Sequence, residues 1–137
     1  MIMGYRSEVA ILVYGEPYAF DKHYQEYFSP EVIEAKEIEW VMPKTVIRTE
    51  VFEGKPRLMF KFHADYIKWY VPEYKDVTHL DNFWRTAAEA GLNVEFMRIG
   101  EEYDDIDTES YGDEQRYYLG FNRSIEMDAG LFEAVSQ

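Results

Sequence analysis

The sequence contains no cysteine, which removes disulfides, thiolate nucleophiles and Cys-ligated zinc or iron from consideration. No apolar run approaches the roughly 18–20 residues of a membrane span, and the opening residues lack the basic and apolar regions of a signal peptide. The expectation is a protein with no membrane association that stays where it is made. Glycine and proline, 8 and 5 in number, are scattered and form neither a linker nor a repeat. One domain over residues 1–137 is expected, with a short tail at 129–137. Positive charge is scarce: 14 Lys and Arg stand against 27 Asp and Glu, leaving a formal charge of -13. Arg6, Lys22, Lys36, Lys44, Arg48, Lys55 and Arg57 occur singly. A surface that tracks phosphates needs a basic stripe, so direct nucleic-acid binding is not expected.

What is present is apolar and ring-rich. Apolar residues make up 47% of the chain and aromatic ones 18%, so a globular core built largely of rings is expected. Residues 7–14 are β-rich and apolar on both faces, the pattern of a central strand, and end at Gly15-Glu16-Pro17. Pro17 suits the first turn of a helix reaching Phe28. Ser29 then caps a second helical segment with Pro30 at its first position and Val32 and Ile33 facing inward. From Thr45 the pattern alternates with period two, breaks at Glu53-Gly54-Lys55-Pro56, and returns over residues 58–70, which predicts a hairpin.

Val77, Leu80, Phe83, Trp84, Ala87 and Ala88 recur at helical spacing, with Asp76 expected to cap the start and Gly91 to close the end. Strands are expected at 94–99, 105–111 and 116–127. This order predicts an α+β domain: a mainly antiparallel sheet with two helical segments on one face, a ferredoxin-like split βαβ core and an extra C-terminal hairpin. Val9, Ile11, Val13, Phe60, Phe62, Leu80, Phe83, Trp84, Ala87, Val94 and Phe96 are the expected core.

The densest chemical feature is Glu101, Glu102, Asp104, Asp105, Asp107, Glu109, Asp113 and Glu114, with no base among them. An EF-hand needs Gly at loop position 6 and an acid at position 12. Counting from Asp105, those positions hold Ser110 and Arg116, so the match fails. Three readings remain open: a looser cation site, a solvated acidic hairpin, and a partner-binding comb. In the comb, Asp105, Asp107 and Glu109 share a strand face at about 6.6 Å intervals, comparable with successive backbone phosphates. His23, His63 and His79 lie in no motif that pairs them with Ser7, Ser29, Ser110 or Ser124. No phosphate-binding glycine loop, HExxH or nucleophile elbow occurs. No catalytic residue, metal ligand or cofactor is therefore assigned. Tyr66, Ile67, Lys68, Trp69 and Tyr70 form an aromatic cluster read either as helix-to-sheet packing or as a hydrophobic anchor, with Tyr66, Trp69 and Tyr70 as contact residues.

The segments Gly4-Tyr5-Arg6-Ser7-Glu8-Val9-Ala10, Tyr66-Ile67-Lys68-Trp69-Tyr70, Phe96 through Ile106 and Arg123-Ser124-Ile125-Glu126 together resemble small acidic proteins of bacteriophages and prophages that begin Met-Gly-Tyr-Arg-Ser-Glu-Val. That family has no established activity to carry over. The resemblance implies a phage accessory protein acting in the bacterial host cytoplasm. The leading expectation is a non-enzymatic acidic binding protein that inhibits a host nucleic-acid-handling or defence complex, of anti-CRISPR or nucleic-acid-mimic type. Its partner would be a basic host protein or nucleoprotein complex, met through Glu101, Glu102, Asp104, Asp105, Asp107 and Glu109 and held by the aromatic cluster. The alternatives are a metal-dependent hydrolase using the acidic hairpin, and a structural homo-oligomer, such as a homodimer, joined through sheet edges or aromatic faces.

Overall fold

The computed structural model describes residues 5–121 and 125–127. The expected tail, Gly4, and Arg123 and Ser124 lie outside the described residues. Strand β1 (Ser7–Gly15) leads into helix α1 (Pro17–Phe28) and the short helix α2 (Pro30–Lys36). After a helical turn at Met42–Lys44 come strands β2 (Thr45–Phe52) and β3 (Lys55–Ile67) and helix α3 (Lys75–Ala87). Strands β4 (Asn93–Ile99), β5 (Ile106–Tyr111), β6 (Leu119–Phe121) and β7 (Ile125–Met127) complete the order. The chain is α+β. One five-stranded sheet runs β2-β3-β1-β4-β5 with every neighbouring pair antiparallel. Its first four strands, with α1 and α3 as crossovers, have an order compatible with a ferredoxin-like split βαβ core.

The helix boundaries follow local chemistry. Pro17 opens α1, where its missing N–H is no loss, and the Glu16 carboxylate accepts from the Ala19 amide. Ser29 ends α1 and caps α2, its hydroxyl accepting from Val32 N. Ile33 leans on the core, while Val32 is only half-buried. Gly91, at φ +82°, supplies the left-handed residue that stops the turn following α3. Asp76 does not cap its own helix. It is buried in the first turn of α3, and its Oδ2 accepts from Glu39 N at 3.0 Å and Val41 N at 3.4 Å, tying the loop before β2 to the helix.

All the residues expected in the core lie in one cluster between the sheet and the helices. Phe83 is its centre, with the rings of Phe60 at 4.8 Å, Phe28 at 4.9 Å and His23 at 5.1 Å. β1 is buried on both faces because a second layer covers the sheet's other side. There Leu12, Tyr14 and Met59 pack under Tyr118 and Leu119, and Ala10 and Met97 pack under Ile99 and Leu119. Two buried hydroxyls on that side are bonded internally: the Tyr14 hydroxyl donates to Glu95 at 2.6 Å and accepts from Arg116 N, and Tyr118 donates to Glu50 at 3.0 Å. Burial and the Glu95 carboxylate push the Tyr14 hydroxyl far above its ordinary value.

Three details differ from the sequence reading. The β2–β3 turn uses only Glu53 and Gly54, both at positive φ, so Lys55 and Pro56 already belong to the ladder. β5 pairs with β4 and extends the sheet, while the C-terminal hairpin is built from β6 and β7 as a separate ribbon. β3 stops at Ile67 rather than Tyr70, for a reason that bears on the site.

Candidate functional site

Opposite Ser7 and Val9 of β1 stand Ile67 and Ala64 of β3, so β3 carries one extra residue there. This is a β-bulge. Tyr66 takes it up at φ +57°, a conformation that costs a bulky L-residue about 1 kcal/mol or more. The bulge turns the Tyr66 ring outward, leaving the residue 70% exposed, with the Arg6 guanidinium 5.2 Å from its centroid. Two shallow grooves share Tyr66 and Arg6. One, of about 270 Å³, also has Trp40, Ile67, Lys68 and Tyr74 in its wall. The other, of about 160 Å³, reaches Glu8, Asp65, Gly100 and Glu101.

The turn between β4 and β5 is fixed against the N-terminal segment chiefly through Tyr5. Its hydroxyl donates to Asp105 Oδ2 at 2.5 Å and accepts from Glu102 N at 3.1 Å, and its carbonyl accepts from the Tyr70 hydroxyl at 3.0 Å. Arg6 N donates to Glu101 Oε1 at 3.1 Å. Gly100 makes the approach possible: a Cβ there would lie 2.1 Å from Asp105 Oδ2 and 2.3 Å from the Tyr5 hydroxyl. From the other side Arg98 bridges Asp105 Oδ1 at 2.5 Å, Asp107 Oδ2 at 2.8 Å and Ser7 Oγ at 3.0 Å. The turn is thereby rigid at its base, and Glu101, Glu102, Tyr103 and Asp104 project into solvent.

The nine residues expected to contact a partner therefore divide. Glu101, Glu102 and Asp104 are exposed on the turn, on the same end of the sheet as exposed Tyr66. Asp105 and Asp107 are held by Arg98, and Glu109 lies 3.8 Å from Arg85 on α3. The comb is thus partly neutralised within the fold. Asp107, Glu109, Arg85 and Arg98 line a polar groove of about 430 Å³ floored by Trp69 and Phe96. Trp69 packs against Phe62 and Phe96 at 6.0 and 6.3 Å. Tyr70 is 6% exposed and serves the Tyr5 clamp rather than the surface. Trp40, Arg6 and Tyr103, which no sequence pattern marked, join Tyr66 at this end of the molecule. Tyr103 lies within the acidic turn and within the segment from Phe96 to Ile106 that carries the phage resemblance.

Other expected chemistry finds no assembly. His23 and His79 bond the carbonyl oxygens of Phe83 and Tyr27, and His63 pairs with Glu8 at 2.8 Å. Among the described residues no group of three His, Asp or Glu side chains converges to hold a metal, and no helix is long and apolar enough to cross a membrane. Comparisons with protein-family models, with characterised proteins and with solved structures found no match.

The hydrogen bond from Arg98, followed by that from Tyr5, holds the Asp105 carboxyl below the usual carboxylate range. A depressed folded value means that the charged form stabilises the fold. That contribution is complete above the ordinary Asp value of about 3.9 and disappears as pH falls through the lower folded value. In an NMR acid titration, Asp105 should protonate below the ordinary Asp value, and the Glu102 amide, which donates to the same Tyr5 hydroxyl, should move with it. Titration of Asp105 at the ordinary Asp value would mean that the clamp does not form in solution.

Proposed function

We propose that the chain is a non-enzymatic acidic binding protein, of the kind that phages use to inhibit a host nucleic-acid-handling or defence complex in the bacterial cytoplasm. It docks a basic protein surface through the end of the sheet that carries Tyr66 and the turn of residues 101–104. The observation that carries this reading is the bulge at Tyr66. A tyrosine kept at positive φ and turned to solvent costs stability and returns little to the fold beyond its ring's contact with Arg6, and such strain is concentrated where a protein meets a ligand. Tyrosine is also a favoured anchor of interfaces, and the neighbouring turn supplies the exposed carboxylates of Glu101, Glu102 and Asp104. Tyr5, Arg6, Tyr66, Tyr70, Arg98, Gly100 and Asp105, drawn from three of the four segments that carry the phage resemblance, meet at this one end.

The net charge of -13 steers a basic partner, but exposed charges are screened beyond about 8 Å in physiological salt. Carboxylates therefore set the association rate and the rings set the lifetime. The test begins with a pull-down from bacterial lysate and continues with binding kinetics at two salt concentrations. Glu101→Gln, Glu102→Gln and Asp104→Asn together should slow association about tenfold at low salt and flatten its salt dependence. Tyr66→Gly should keep or raise the melting temperature, because it relieves the strain, while speeding dissociation on the order of tenfold or more. Recovery of no basic partner, or a partner indifferent to both variants, would refute the binding role.

A further inference from the structure

The five-stranded sheet ends on two edges that the fold treats differently. An unpaired edge offers its N–H and C=O groups to any extended chain, and folded proteins defend such edges with short strands, inward-pointing charges or bulges. β5 is defended. It is 6 residues long, and Asp107 and Glu109 stand on it in ion pairs with Arg98 and Arg85. β2 is not. It runs 8 residues without proline or glycine and pairs along its whole length with β3 on one side only. Among the described residues nothing pairs with its outer side. Ile47, Thr49 and Val51 alternate along its helix-side face, with Ile47 41% and Val51 67% exposed.

We propose that a second copy of the chain occupies this edge, the two β2 strands pairing antiparallel about a two-fold axis through Thr49, so that two five-stranded sheets become one of ten strands. Register carries the argument. A two-fold pair that keeps the helices of both copies on one side of the joint sheet must be centred on a residue, because opposed residues then lie on equivalent faces. Centring on Arg48 sets arginine against arginine, and centring on Glu50 sets glutamate against glutamate, both unfavourable across a ladder. Centring nearer either end shortens the pairing. Centring on Thr49 sets Arg48 against Glu50, Ile47 against Val51 and Val46 against Phe52, each pair occurring on both sides of the axis. Opposite charges and β-branched or aromatic partners are the combinations that stabilise cross-strand pairs, and the two Thr49 hydroxyls face each other at the axis.

The strand is thus complementary to itself in the single long register that its geometry allows. This pairing does not depend on the role of Tyr66. It turns the two Tyr66 ends in opposite directions, because the start of β2 and the end of β3 lie at the same end of each sheet.

Sedimentation velocity of the full chain at about 100 μM, where a micromolar interface is largely occupied, should report a dimer. Ile47→Lys combined with Val51→Lys sets ammonium groups against each other across the axis and should raise the dimer Kd about 100-fold or more. Ile47→Glu combined with Val51→Glu should do the same. Mixed in equal amounts, the two variants should form a heterodimer, since each introduced lysine then meets a glutamate. Variants that had merely lost their fold could not recover it. A wild-type chain that stays monomeric at that concentration, or a dimer that both variants leave intact, would overturn the proposal.

Discussion

Replacing Phe83 by alanine should destabilise the domain by about 3–5 kcal/mol. Phe83 is fully buried and contacts three rings from two other elements: Phe60 on β3, and Tyr27 and Phe28 on α1. The Phe28 and Phe60 contacts are edge-to-face, an arrangement worth about 0.5–1.5 kcal/mol per pair beyond the area buried. Truncation leaves a ring-sized cavity that α1 cannot fill by a small shift, because His23 on the same helix is fixed to the Phe83 carbonyl at 2.9 Å. A domain of this size has a total stability of about 5–15 kcal/mol, so the loss is a large fraction of it and should lower Tm on the order of 10–20 °C. Urea denaturation measures it directly. Tyr18→Ala on the same helix, 76% exposed, is the control and should change stability by less than about 0.5 kcal/mol. A Phe83→Ala loss below about 1 kcal/mol would mean that α3 does not pack as described.

Much of this core was legible because its rules are local and periodic. Val77, Leu80, Phe83, Trp84 and Ala87 point to one side for the simple reason that a helix turns every 3.6 residues. Pro17, Ser29 with Pro30, and Gly91 end helices through backbone chemistry confined to a few neighbours. The site was less legible because its decisive features are not local. Period-two reading of β3 carries straight through Tyr66, but one extra residue in the ladder reverses the facing of everything after it. Tyr66 therefore goes out, while Tyr70, read from the sequence as a contact residue, lies past the end of β3 and is buried with its hydroxyl on the Tyr5 carbonyl.

The acidic run misled in a related way. Between Arg98 and Arg116 no base is present, so the carboxylates read as uncompensated. Their partners come from across strands and from α3, in Arg98, Arg85 and, for Glu114, Arg57 at 2.9 Å. Asp76 has the position of an N-cap and serves another segment altogether. Of the residues that the sequence marked, the structure brings Glu101, Glu102, Asp104 and Tyr66 to one end, for reasons of register and clamping that pattern alone does not encode.

The second large effect belongs to Arg98. Removing its guanidinium as Arg98→Met should cost about 2–3 kcal/mol. Its side chain is only 15% exposed and satisfies Asp105, Asp107 and Ser7 together. Without it the carboxylates of Asp105, just before β5, and Asp107, on β5, repel each other with no cation between them. Loss of a partner from a fully buried ion pair costs more, but here Asp105 and Asp107 keep enough solvent to recover part of the hydration. If repulsion is the cause, Asp105→Asn and Asp107→Asn in the Arg98→Met background should restore more than half of the loss, although each neutralisation alone destabilises the parent protein. That reversal of sign is a coupling that a merely steric role for Arg98 would not produce. The same variant separates the two halves of the binding reading. Glu101, Glu102 and Asp104 remain charged and exposed in Arg98→Met, so the association rate with a basic partner should be kept or rise. The base of the turn is loosened, so docking must order it again and dissociation should quicken. An Arg98→Met protein that dissociates no faster than wild type would show that the clamp through Tyr5 and Asp105 holds the turn without Arg98, or that the turn is not where the partner sits.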